Sequence, residues 1–582
     1  MMKYLDFPSH YDRFPTVDCS HLKGIAYEGE AALINRLSTL SGVIVVETYP
    51  GVDLNQLENI LRSAYPNHQH IDVTQFAYDR ATLDERFADY LTEDRVFGVM
   101  CHLNIEALYP NSASSAIQAQ IDASNQPIVL YGFGAAHFIK TGTLVYVELH
   151  RWAIQQKYRA KTYANWQGQD HDEELLKKYK RGFFVEWRIA DRHKQALIER
   201  VEVYVDVSTV DTPRAVEGTL WREALRFTAH RPFRLVPYFD PGVWGGQWMK
   251  EVCRLDKEAV NYAWAFDGVP EENHIRLQFN EGVIDTPAIN LVFAQPRALL
   301  GDHVHARFGK EFPIRFDFLD TMEGGNLSLQ VHPFTEYIQQ KFGMMYTQDE
   351  SYYILDAQED GTVWLGLKEN IDRVAFIKDL QAAERGEKPF PAEDYVNVYP
   401  AKKHDHIAIP AGTIHCSGKN VMVLEISATP YIFTFKMWDW DRVGLDGLPR
   451  PIHLDHALKN IAWERDADWV ESYLLNPFSP LPSSADAIVE RTGLHPTRQF
   501  IETHRHTSKK PIKHETHGSV NMLNLVEGRE ATVSSPTDAF DPFIVHYAET
   551  FIIPAAVKDY LISPSGPSLG HAITTIKAFV RR

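Results

Sequence analysis

Between Leu327 and Pro333 the chain reads Leu-Ser-Leu-Gln-Val-His-Pro, an apolar run broken at alternate positions by Gln330 and His332. A period of two is the mark of an extended strand, which sends both of these side chains to one face. An amide and an imidazole side by side on such a face need partners. Two stand downstream: Glu350, at the head of the β-prone run Ser351 to Leu355, and His415, which follows Ile407 to Ile414. Three strands of one sheet are expected to converge and bring the four groups together. An amide oxygen, two imidazole nitrogens and a carboxylate suit a borderline-hard divalent cation, and a catalytic site of this kind keeps a coordination position for water or substrate. A lone strand histidine is more often a packed core residue. It is the set, with a polar glutamine on the same face, that points to a metal.

A chain of 582 residues is too long for one core and predicts roughly two to four domains. Its apolar content of 44% and charged content of 23% are those of an ordinary globular protein. The formal charge of −18 argues against nucleic acid as a general partner, since phosphate backbones require a basic face. A small anionic substrate would need a local cationic pocket. Cys19, Cys101, Cys253 and Cys416 lack paired spacing, which fits a reducing compartment better than a disulfide framework. Cys416 adjoins His415 but faces the other way on a strand, so it reads as packing. The opening Met1 to Pro8 has no basic flank followed by an apolar core, and no apolar stretch approaches the roughly 20 residues of a membrane helix. The expectation is a cytoplasmic protein with no membrane partner.

Residues 1–225 alternate strand-like and helical runs. Gly42 to Glu47 leads through Tyr49-Pro50-Gly51 to the helical pattern Val52 to Leu61, and Pro127 to Gly134 and Leu144 to Glu148 read as further buried parallel strands. The strand, turn and helix from Val43 to Leu61 stand where a nucleotide kinase carries its phosphate loop, and Arg151, Lys157, Arg159, Arg181, Arg188 and Arg192 resemble the arginines of such folds. The turn has neither the lysine nor the hydroxyl of a Walker motif, and Glu47 and Asp53 would repel phosphate. The expected first domain is therefore an α/β parallel sheet resembling a degenerate P-loop kinase, its basic residues on a solvated helix. From about Thr219 short strands with Gly/Pro turns take over, predicting all-β jelly rolls: a catalytic domain over 226–480 and a smaller one over 481–582, with a proline- and serine-rich linker near Pro477 to Ser484. Helices are expected over Ile371 to Ala383 and Ile452 to Trp463. In the last domain His504, His506, His514 and His517 form a second candidate metal cluster, but the polar, lysine-rich sequence between the pairs reads rather as a solvated hairpin.

Leu329-Gln330-Val331-His332-Pro333 and Ile409-Pro410-Ala411-Gly412-Thr413-Ile414-His415, with Val243-Trp244-Gly245-Gly246, Phe312 to Asp320, Val423-Leu424-Glu425 and Trp438 to Arg442 in the same order, resemble the type I mannose-6-phosphate isomerases, zinc enzymes built on cupin jelly rolls. The resemblance spans about residues 226–582. It implies one zinc ion per chain on Gln330, His332, Glu350 and His415, an active-site acid at Glu425, and the arginine of an Asp-x-Asp-Arg turn at Arg442. The family's active-site arginine falls on Lys436, and Gln348 stands where a lysine is usual two residues before the metal glutamate. Lys402 and Lys403 are further cations available to a substrate phosphate. The reaction implied interconverts mannose 6-phosphate and fructose 6-phosphate through a cis-enediol, which needs a general acid/base, a Lewis acid and a cationic clamp. Two other readings use the same residues: a catalytically weak sugar-phosphate sensor, and an isomerase of a different sugar in which Gln348 meets the substrate.

Overall fold

The computed structural model describes residues 3–209, 212–428, 432–445, 447, 450–484, 486–493 and 499–582. The chain divides into two compact units: Thr16–Thr228 with His274–Gln295, and Met1–Pro15 with Ala229–Asn273 and Pro296–Arg582. Sequence reading had drawn one boundary near residue 225. The structure carries the chain from unit to unit instead, because strands His274–Gln278 and Val283–Pro287 form a three-stranded sheet with Thr16–Asp18.

In the unit containing Thr16–Thr228, a seven-stranded sheet runs in the order Tyr27–Glu28, Arg214–Glu217, Val201–Asp206, Thr143–Glu148, Ile44–Thr48, Ile128–Gly132, Gln69–Asp72. The last five of these pair in parallel. Ile44–Thr48 and Ile128–Gly132 are buried throughout, as strands covered on both faces must be. The protein's own carboxylates take up backbone N–H groups after Ile44–Thr48 and after the neighbouring Ile128–Gly132. Asp53 caps helix Leu54–Ala64 by accepting from Asn55 N and Gln56 N, and Glu47 accepts from Gly134 N at 2.6 Å and Ala136 N at 2.8 Å. The basic residues do not form a solvated face. Arg151 pairs with Asp191, Arg181 with Glu186 and Asp84, and Lys157 Nζ donates to Gly51 O at 2.8 Å. The expected change to short strands near Thr219 is also displaced: Gly218–Thr228 is a helix, burying Leu220, Trp221, Ala224, Leu225 and Thr228 at helical spacing.

The other unit holds two antiparallel sandwiches. In the first, a six-stranded sheet (His406–Ile409, Glu350–Ala357, Val421–Ala428, Ile314–Asp320, Trp264–Gly268, Tyr238–Asp240) accompanies a five-stranded one (Val396–Pro400, Thr362–Leu367, His415–Ser417, Leu329–Val331, Phe435–Trp438). Helix Arg373–Glu384 interrupts it near the expected place. Of the span Ile452 to Trp463 only Leu454–Ala457 is helical, because the chain beyond turns to meet its neighbours: Asn460 Oδ1 accepts from Phe334 N, and Ala462 N donates to Gly412 O. In the second sandwich, Ile501–Ser508, Ile573–Val580 and Asn521–Glu527 lie side by side in a six-stranded sheet, and Ile512–Glu515 and Asp559–Pro564 in a four-stranded one. Leu523, Leu525, Val533, Phe551, Tyr560 and Ile562 form its apolar core. The histidines expected on a solvated hairpin are there, but His506 and His514 are buried and only His517 is exposed. Among the described residues no helix is long and apolar enough to cross a membrane.

One buried guanidinium ties the pieces of this unit together. Arg234 reaches Glu549 Oε1 at 2.7 Å, Thr550 O at 3.1 Å and Asp12 O at 2.9 Å, and lies over the Tyr11 ring. Asp267 of the first sandwich accepts from Tyr11 and from Thr550 N. Burial works against ionisation of Glu549, and Arg234 overcomes it, holding the carboxyl below its usual range. Arg234→Met leaves these carboxylates buried without their cation and is expected to cost about 3–5 kcal/mol in urea unfolding. A loss below about 1 kcal/mol, the level of an exposed pair, would remove Arg234 from this role.

Candidate metal centre

The two sheets of the first sandwich supply the centre jointly. Gln330 and His415 are cross-strand partners in the five-stranded sheet, whereas Glu350 begins a strand of the six-stranded one. The expected convergence within one sheet is thus replaced by convergence across the sandwich, which brings a carboxylate to face the imidazoles. His415 Nε2 lies 2.7 Å and His332 Nε2 3.2 Å from Glu350 Oε1. All three side chains are buried, and their ligand atoms lie within 4.8 Å of one another.

The hydrogen bonds around this trio show what it fits. His415 Nδ1 stands 2.9 Å from Thr413 O and His332 Nδ1 3.3 Å from Phe433 O. A carbonyl only accepts, so each Nδ1 carries the proton and each Nε2 presents a lone pair. His332 Nε2 and Glu350 Oε1 are buried atoms with no hydrogen-bond partner, close to one another without the alignment of a bond. Lone pairs converging in a dry interior suit a cation, with backbone carbonyls orienting the imidazoles as they do in metal sites. The Gln330 amide stands 3.3 Å from His415 Nε2, and a half-turn of an amide exchanges its nitrogen for its oxygen. Burial opposes ionisation of Glu350, but the two imidazoles outweigh it and hold the carboxyl below the usual carboxylate range.

Antiparallel register extends the site along the six-stranded sheet. Glu425 is opposite both Tyr352 and Asp317, and Ser427 is opposite both Glu350 and Arg315, so all six share one face. Gln348 donates to Glu350 Oε2 at 2.9 Å and to Glu425 Oε1 at 3.3 Å, linking the metal carboxylate to its neighbour. Burial, then the charges of Glu350 and Asp317, push the Glu425 carboxyl well above its ordinary value. Asp317 is pushed up to about 7 by burial, against the pull of Arg315. Arg315 and Asp317 escaped sequence reading. Their signal was present, since both interrupt the apolar run Phe312 to Leu319 at alternate positions, just as Gln330 and His332 do in theirs.

The expected cations divide. Lys436 is the cross-strand partner of Gln330 and so shares the face of the metal ligands, its ammonium pushed down to about 8 by burial and by Arg450 and Arg442. Arg442 and Arg450 both grip the Asp439 carboxylate. Lys402 and Lys403 are not brought to the centre. Glu350 pairs with Ile409, whereas His404 N bonds Ile354 O, four residues along the strand and about 13 Å away at the usual rise. There Lys403 Nζ meets Glu527 Oε2 at 2.6 Å, and Lys402 N donates to Asp405. Of the stretch after Glu425, Thr429, Pro430 and Tyr431 lie outside the described residues.

Residues 28–230 match a family model described as a domain of unknown function (DUF8485). The chain is 25% identical over 235 residues to the mannose-6-phosphate isomerase ManA of Bacillus subtilis (strain 168), covering 40% of this chain and 68% of that protein. It is 24% identical over 248 residues to the mannose-6-phosphate isomerase of Streptococcus mutans, covering 42% and 72%. A crystal structure of the mannose 6-phosphate isomerase from Bacillus subtilis aligns with a TM-score of 0.48 and 18% identity, over 60% of this chain and 99% of that one. At about 25% identity over some 40% of its length, the chain is homologous to type I mannose-6-phosphate isomerases.

Proposed function

We propose that the first sandwich is a sugar-phosphate isomerase centre that interconverts mannose 6-phosphate and fructose 6-phosphate, with one zinc ion on Gln330, His332, Glu350 and His415. The observation that carries this reading is the direct link, through Gln348, between the metal-competent trio and a second buried carboxyl at Glu425. Homologous isomerases support the activity class. A bound zinc would supply a Lewis acid for the oxyanion charge that develops when a carbonyl and a neighbouring hydroxyl exchange roles.

The rest is work for the protein's own groups. Glu425 takes the proton from the sugar carbon next to the carbonyl and returns it to the adjacent carbon, through a cis-enediol. A carboxyl whose affinity for protons is raised by burial and by like-charged neighbours is a stronger base, closer to neutrality than a free glutamate. Gln348 fixes where Glu425 stands relative to Glu350. Lys436 is the cation assigned to the substrate's anionic groups, since an anion beside it offsets the burial that disfavours its charge. Arg442 holds the Asp439 turn that follows the Lys436 strand. The other unit is read as a degenerate phosphoryl-transfer fold, in which Glu47 and Asp53 take up the backbone N–H groups that a phosphate would use.

Glu425→Gln keeps the shape of the side chain and removes the base. It is expected to lower turnover by roughly 10²–10⁴-fold, the usual share of general acid/base catalysis, while zinc content by elemental analysis stays at one per chain. Retained turnover would take Glu425 out of the proton transfer. His415→Ala is expected to lose zinc and activity together, and chelation of the wild-type protein followed by zinc addition should abolish and restore turnover in a coupled fructose 6-phosphate assay. Full activity in thoroughly demetallated protein would overturn the metal assignment.

A further inference from the structure

The interior of the C-terminal sandwich is divided by chemistry. Register places Lys577 opposite Leu523 and Thr575 opposite Leu525, so both point the way of the apolar core. Across the other edge of the same strand, Lys577 is opposite His504 and Thr575 opposite His506, which puts both histidines on that inner face. From the facing four-stranded sheet His514 comes in beside them, its ring 4.4 Å from that of His506 and stacked on Tyr560 at 5.0 Å. A lysine and three histidines thus line one part of a core that is otherwise leucine, valine, isoleucine and aromatic.

The two innermost histidines lack polar partners at three of their ring nitrogens. Both ring nitrogens of His514 and Nδ1 of His506 are buried without a hydrogen bond. Unpartnered nitrogens of this kind cost free energy unless something else binds them. Acidic neighbours do not make up the difference. Glu502 is held by His504 Nε2 at 2.7 Å and Arg491 at 3.1 Å, and the exposed Glu515 lies near Lys513 and His517. Burial, reinforced by the positive charges of Lys577 and His504, lowers the proton affinity of His506 and His514, and burial lowers that of Lys577 to about 8. The cluster is short of negative charge. It is open at one end, where the side chains of His504 and Glu502 are 14% and 16% exposed, and closed at His506 and His514.

We propose that the interior of the C-terminal sandwich binds a small oxyanion, a phosphate or a carboxylate, between Lys577, His506 and His514, entered past His504. A cation fits less well. Among the described residues only His332, Glu350 and His415 bring three ligand atoms within 4.8 Å of one another, and an ammonium stands inside the C-terminal cluster. Phosphate and carboxylate both accept hydrogen bonds from an ammonium and from imidazole N–H groups, which is the chemistry the cluster offers.

The test is calorimetric titration of zinc-loaded, full-length protein carrying Lys436→Met, which removes the cation assigned to the first sandwich. Inorganic phosphate is the probe, with acetate in a parallel arm to tell the two oxyanion sources apart. One anion per chain is expected to bind, and adding Lys577→Met or His514→Gln is expected to weaken it by at least about tenfold, the scale of a lost charge-assisted hydrogen bond. Melting curves and near-ultraviolet circular dichroism report whether each variant is folded. Should Lys577→Met not fold, His514→Gln and His506→Gln decide. The proposal is overturned if neither anion binds, if the folded variants bind as the parent does, or if the protein holds a second zinc that His514→Gln removes.

Discussion

A carboxylate sealed between two sheets governs the first sandwich. Glu350 is fully buried, and an ionised carboxyl there is tolerable only with compensating charge close by. The facing sheet sets His332 and His415 against it, and the backbone carbonyls of Phe433 and Thr413 turn the lone pair of each imidazole inward, so the charge that the three groups together suit is that of a cation. Much of the surrounding arrangement follows from that one demand. The register that sets Ser427 opposite Glu350 also sets Glu425 opposite Tyr352, so placing the Glu350 carboxylate fixes the position of the carboxyl beside it. Burial, with the charge of Glu350 added, makes Glu425 and Asp317 reluctant to ionise, giving neighbouring acids on one sheet face opposite electrostatic characters.

The parts of this arrangement that could be read from the sequence are those with a short period. Alternation around Gln330 and His332 picked out two side chains that the structure brings close to His415 and Glu350, and helical spacing located Arg373–Glu384. What could not be read is which strand meets which. Nothing local in Leu329–Val331 or Glu350–Ala357 says that they belong to opposite sheets, because that choice is made by pairing over long stretches of chain. The same blindness placed Lys402 and Lys403 near the substrate, when the direction of the strand that follows them carries them to the far end. Arg315 and Asp317 were overlooked for a different reason: alternate charges in a phenylalanine-rich run look like solvent-facing residues until both faces of the strand prove buried.

A comparable economy marks the parallel sheet. Backbone N–H groups at the carboxyl ends of such strands are the usual place for anions. In this chain the anions are built in, as Glu47 and Asp53, and the arginines that could have met a phosphate are instead tied to Asp191, Glu186 and Asp84.

The interleaving of the two units has a consequence for how the protein is made. The sandwich unit needs residues 1–15, which are made before any of the sheet unit, yet its remaining strands begin only after residue 229, and the sheet unit is finished only when residue 295 is out. At about 5–20 residues per second, the opening segment carrying Tyr11 waits roughly ten seconds or more for Arg234 and Asp267 to be translated. Neither unit is a bead on a string: the chain passes between them four times, so no single cut separates them and neither can be lent to another protein by a simple end-to-end splice.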